Sequence, residues 1–138
     1  MSKRLLIIDD EDDIREVTQI ALQLNTGWDV LLASSGAEGL AVAQAELPDA
    51  ILLDVMMPDL DGMAVLGRLK ADERTAAIPV ILLTATVQKA REAPGTGSAG
   101  VIVKPFDPLT LAPEIIDILG WPGPPSGAKR GRDPDEAR

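Results

Sequence analysis

The segment LIIDDEDD sets Asp9 and Asp10 directly after one apolar run, and ILLDVMMPDLDG sets Asp54 directly after another. If those runs are adjacent parallel strands, three carboxylates converge at one sheet edge, where like charges repel and raise each other's pKa. A hard divalent cation offsets that cost. Mg²⁺ takes oxygen ligands, keeps several waters and binds through one or two carboxylates together with phosphate oxygens. Taken singly, Asp10 also reads as an N-cap with Asp13 at the third helical position; the set of three fits such an ordinary reading much less well. The chain contains no Cys and no His, which excludes thiolate nucleophiles, thiolate and imidazole metal sites, and the usual general base. The nucleophile class that remains is a carboxylate accepting a phosphoryl group as a mixed anhydride, with Asp54 as the candidate. Thr84, ending PVILLT, offers a hydroxyl donor to a phosphoryl oxygen, and Lys104, after VIV, offers a positive charge.

The elements that must position these residues are legible as five continuous apolar runs at residues 5–8, 30–33, 50–53, 80–83 and 101–103. Continuity rather than alternation is the pattern of parallel strands buried on both faces. Helical periodicity lies between them: Ile14, Val17, Ala21 and Leu24; Leu40, Ala43 and Leu47; Met63, Leu66 and Leu69; and, last, Leu111, Ile115 and Ile118. Five βα units in about 120 residues are too few for a barrel, so the expected fold is α/β, a doubly wound five-stranded parallel sheet of flavodoxin type. Its common strand order, 2-1-3-4-5, puts a site at the carboxyl ends of the first and third strands.

With 138 residues, one domain is expected over 1–120, followed at 121–138 by a Pro/Gly-rich tail without apolar periodicity, and no output domain is expected after it. The formal net charge of −9 belongs to the domain, since residues 1–120 alone carry −10. Such a surface repels a phosphate backbone, so nucleic-acid binding is not expected. Only four apolar residues follow Lys3-Arg4, too few for a signal-peptide core, and no run reaches the length of a membrane span. The expected location is the cytoplasm, with no membrane partner.

In combination, DD after the first strand, D-x-x-M-P-x-x-D-G after the third, T-A after the fourth and K-P-F after the fifth resemble the receiver domain of bacterial two-component response regulators, over residues 3–119. The resemblance implies Asp54 as phosphoacceptor, Asp9 and Asp10 as Mg²⁺ acids with the Met56 carbonyl as a further ligand, and Thr84 and Lys104 as the switch pair. It also implies a cis Lys104-Pro105 peptide, a histidine kinase or phosphotransfer protein as donor, a downstream protein target, and a signalling module rather than an enzyme. The alternative on the same fold is a protein-binding module whose partner choice is not governed by phosphorylation.

Several features depart from that pattern. Val101 stands where receivers often carry Tyr or Phe. Pro94, Gly95 and Gly97 limit the helix expected over 87–100 to two turns at most, so activation is expected not to run through it as a rigid element. Pro113 is expected to kink the last helix, for which Asp107 is the expected cap. GTGSAG at 95–100 fits G-x-G-x-x-G but leads into a strand rather than opening a helix, so it reads as a loop. An aspartyl-phosphate hydrolase would need a second acid where Met56 stands, and a flavin carrier would need phosphate donors where the acids stand.

Overall fold

The computed structural model describes residues 3–85, 91, 95–104 and 106–121. The helix expected over 87–100, the Lys104-Pro105 peptide and residues 122–138 of the expected tail therefore lie, wholly or in part, outside the described residues. The elements run β1 (Arg4–Ile8), α1 (Asp12–Thr26), β2 (Asp29–Ala33), α2 (Gly36–Glu46), β3 (Ala50–Asp54), α3 (Gly62–Ala71), β4 (Val80–Thr84), β5 (Gly100–Val103) and α4 (Pro108–Leu119). The five strands form one parallel sheet in the order β2-β1-β3-β4-β5, the expected doubly wound α/β arrangement.

The unbroken apolar runs follow from burial on two sides. Successive strand residues point to opposite faces. Leu6, Ile8, Ile51, Leu53, Val80 and Leu82 meet Ala43 of α2 and Val65, Leu66 and Leu69 of α3 on one face. Leu5, Ile7, Ala50, Leu52, Ile81 and Leu83 meet Leu22 of α1 and Leu111, Ala112 and Ile115 of α4 on the other.

The first helix corrects the expected stripe. Thr18 and Leu22 are its buried residues, whereas Val17 is half exposed and Leu24 is 81 % exposed. Helix rotation is decided by what packs best beneath it, and the line through Thr18 and Leu22 faces the sheet, although a Thr interrupts its apolar character. Leu47 also leaves its expected stripe: it is the C-cap of α2 with φ 48 and lies half exposed. Asp107 caps α4 through Leu109 N–H at 2.8 Å. That helix continues through Pro113, which is exposed to solvent.

Trp121, expected as the first tail residue, packs with the body. Its ring meets Trp28 edge-on at 5.2 Å between centroids, and Lys3 Nζ lies 5.0 Å from its centroid. Gly120 makes this possible by ending α4 with φ 70, which turns the chain back onto the sheet face. Trp121→Ala is expected to destabilise the domain by about 2 kcal/mol, from lost burial and the edge contact. Urea denaturation followed by circular dichroism checks this; an unchanged midpoint would make the contact incidental.

Candidate functional site

Each strand delivers its chemistry at its carboxyl end. Ile8 pairs with Leu53 across β1 and β3, so Asp9 and Asp54 leave adjacent strands side by side. Asp9 is fully buried and Asp54 is 3 % exposed. The Asp9 backbone is held from both sides, by its N–H to Ala33 O at 3.1 Å and by Arg15 Nη1 donating to its carbonyl at 2.8 Å. Thr84 ends β4, is buried, and accepts the Lys104 N–H on its carbonyl at 2.7 Å, which places Lys104 just past the end of β5.

From there the Lys104 ammonium reaches Asp9 Oδ2 at 3.2 Å, Glu11 Oε1 at 3.2 Å and Asp54 Oδ2 at 3.4 Å. Burial alone would depress its pKa, but the charges of Asp54 and Asp9 and the hydrogen bonds to Asp9 and Glu11 outweigh burial and hold it above the ordinary lysine value. Asp54 is pushed the other way. Burial first, and the Asp9 charge second, raise its carboxyl to about 6, against the pull of Lys104 and of the Met56 N–H, which donates to Oδ1 at 3.1 Å.

The β3 to α3 loop is tied down at three points. Gly62 N–H donates to Val55 O at 2.9 Å, and the Asp61 side chain caps α3 through Met63 N–H. Asp59 accepts from Gly36 N–H at 3.1 Å and Ala37 N–H at 3.2 Å, and these bonds at the start of α2 hold its carboxyl below the ordinary value. Met56 is thereby presented at the rim of a cavity of about 300 Å³ lined by Asp10, Glu11, Asp54, Met56, Ala85 and Lys104.

The structure thus brings Asp9, Asp54 and Lys104 into direct contact, sets Asp10 and Met56 on the wall of the same cavity, and leaves Thr84 one residue behind the wall residue Ala85. Asp10 does not cap α1; that position belongs to Glu11, whose side chain makes no capping bond. Glu11 is the site residue that sequence reasoning missed. The carboxylates of Asp9, Glu11 and Asp54 lie within 4.8 Å of one another and form the group able to hold a metal ion among the described residues, with Asp10 outside it. An all-oxygen donor set of this kind fits Mg²⁺. A usable signal did exist: Glu is a poor N-cap, and DDEDD leaves its third acid without a local role.

The GTGSAG segment forms a turn at residues 95–97, with φ 90 at Gly95 and 95 at Gly97, and leads directly into β5. It opens no helix N-terminus onto a ligand. Among the described residues no helix is long and apolar enough to cross a membrane.

Comparisons agree with this geometry. The family model for the response regulator receiver domain matches residues 5–116. The chain is 44 % identical over 118 residues to the DNA-binding dual master transcriptional regulator RpaA of Synechocystis, covering 84 % of this chain and 48 % of that protein. It is 38 % identical to the phosphate regulon transcriptional regulatory protein PhoB of Pseudomonas aeruginosa, covering 90 % and 55 %. It therefore spans about half the length of these curated relatives. Among solved structures, the chemotaxis response regulator CheY4 of Vibrio cholerae superposes with a TM-score of 0.79 at 31 % identity, covering 86 % of this chain and 99 % of that one. A putative response regulator from Chloroflexus aurantiacus gives 0.79 at 30 %, covering 87 % and 99 %. The sheet order, the acidic cavity at its carboxyl edge and these likenesses converge: the chain belongs to the response regulator receiver domain family of two-component signalling.

Proposed function

We propose that this domain accepts a phosphoryl group on Asp54 from a phosphohistidine donor with Mg²⁺ bound, and signals through altered protein contacts rather than by turning over a substrate. The observation that carries the reading is the ammonium of Lys104 placed within 3.4 Å of the buried Asp54 carboxylate, at the mouth of an acidic cavity. Asp9 and Asp54 of the clustered carboxylates, with Asp10 and the Met56 carbonyl from the cavity wall, would hold the ion, which would supply positive charge to offset the acceptor carboxylate and an incoming phosphoryl group. An Asp54 carboxylate oxygen attacks phosphorus, the N–P bond to the donor imidazole breaks, and an acyl phosphate remains. Lys104 then donates to a phosphoryl oxygen, with the Thr84 hydroxyl as the second donor.

Receiver domains interact with histidine kinases or phosphotransfer proteins, and the surface beside this cavity suits such a donor. An apolar groove of about 590 Å³ runs from Ile14 and Val17 of α1 to Phe106 and Pro108, and Ile20 and Leu24 of the same helix are also exposed. A domain over 1–120 with Trp121 packed onto it, the cytoplasmic setting and the absence of nucleic-acid contact by this domain belong to the same proposal, the last because acidic residues so outnumber basic ones.

The test is intact mass after incubation with Mg²⁺ and acetyl phosphate, for wild type and for Asp54→Asn. The expected result is the mass of one phosphoryl group on wild type, absent with EDTA and absent from the variant. Equal labelling of both proteins would move the acceptor elsewhere.

A further inference from the structure

Glu11 occupies the N-cap of α1, a position that favours Ser, Thr, Asp or Asn, yet its side chain makes no capping bond. Its backbone N–H is instead held by Asp9 Oδ1 at 3.0 Å, and its carboxylate is aimed across the sheet edge at Lys104, 93 residues away in sequence. A lysine ammonium has three donors, and here it faces three carboxylates, at 3.2, 3.2 and 3.4 Å. Two of these are buried and committed: Asp9 also accepts from Glu11 N–H, and Asp54 from Met56 N–H. The Glu11 side chain alone is more than half exposed, at 55 %. It is the partner that water can resolvate when Lys104 leaves.

We infer that Glu11 is a positioning residue that holds Lys104 in its resting place and competes with an anion on Asp54 for that ammonium. The inference rests on the phosphoacceptor reading and adds a determinant of how readily the site switches. Binding of a phosphoryl-like anion draws Lys104 toward new oxygens, and the Glu11 contact is the one surrendered. Glu11 therefore biases the domain toward its resting arrangement, by an amount set by that single partly exposed ion pair.

The experiment is a double-mutant cycle read by beryllofluoride affinity at saturating Mg²⁺, using wild type, Glu11→Gln, Lys104→Met and the double variant. Glu11→Gln is expected to tighten binding about three- to tenfold in the wild-type background and less than about twofold in the Lys104→Met background. An equal change in both backgrounds would mean that Glu11 acts only as a general negative charge, and unchanged or weaker binding by Glu11→Gln would also overturn the inference. Failure of wild type to bind beryllofluoride would instead remove the phosphoacceptor reading and this inference with it. Should Lys104→Met bind too weakly to measure, the Lys104 side-chain ¹⁵Nζ resonance decides. It is expected to differ between free wild type and free Glu11→Gln and to coincide in their beryllofluoride complexes; coincidence in the free proteins overturns the role.

Discussion

Asp54→Asn is expected to stabilise the metal-free domain at pH 7.5 by on the order of 2 kcal/mol. Asp54 ends a central strand almost out of contact with water, beside the equally buried Asp9, and its carboxyl is raised from 3.8 to about 6 by burial first and by Asp9 second. An acid whose pKa is higher folded than unfolded binds its proton more tightly in the native state. Stability then falls as pH rises through the interval from about 4 to about 6, and the loss persists above it. Asn keeps the volume and the acceptor for Met56 N–H while removing the charge. The gain is expected to shrink toward zero near pH 4, and adding Mg²⁺ is expected to stabilise wild type much more than the variant, because the ion relieves in wild type the repulsion that the substitution removes. Urea denaturation at both pH values, with EDTA and with MgCl₂, measures all of these. A variant less stable than wild type in EDTA at pH 7.5 would show that Lys104 more than neutralises the site.

Gly62→Ala should have the opposite and larger effect. A Cβ at this first residue of α3 would overlap the Asp54 carbonyl oxygen and lie 2.6 Å from Val55 Cα. Both obstacles are backbone, so no side-chain rotation relieves them, and the β3 to α3 loop must move away from the strand end that presents Asp54. A loss of about 3 kcal/mol or more is expected, of the size that overpacking against an immovable backbone produces. Gly67, five residues on in the same helix, is exposed and a Cβ there meets nothing within 4 Å. Gly67→Ala is expected to stabilise by about 0.5–1 kcal/mol through helix propensity. Chemical denaturation of the pair isolates the contact: similar destabilisation by both would show that the loss at Gly62 does not come from the backbone behind Asp54.

The contrast between those glycines shows where reading a sequence stops. D-x-x-M-P-x-x-D-G marks a turn and a helix start, but it does not say that one glycine lies against the backbone of the acceptor while the other faces water. The same limit applies to α1. Ile14, Val17, Ala21 and Leu24 are an acceptable apolar stripe by spacing, and only packing on β1, β2 and α4 rotates the helix so that Thr18 and Leu22 go inside. Trp121 looks like the beginning of a tail because Pro and Gly follow it, and it joins the body only because Trp28 and Lys3 are there to receive it.

What the sequence by itself determined is the architecture and the location of the chemistry. Continuous aliphatic runs of strand length are the pattern of strands buried on both faces, five of them alternating with helices point to a doubly wound sheet, and the acids, Thr84 and Lys104 fall at the ends of those runs, hence at one edge. These are consequences of local pattern, because side-chain period and burial are read within a few residues. What only the tertiary structure decided is which groups share a charge. Lys104 meets Asp9, Glu11 and Asp54 across separations of 95, 93 and 50 residues, and the raised carboxyl of Asp54 depends on its burial and its distance from Asp9. Coulomb energy and desolvation are functions of position in space, and positions in space are set by the register of the strands and the rotation of the helices, which no short stretch of this chain contains.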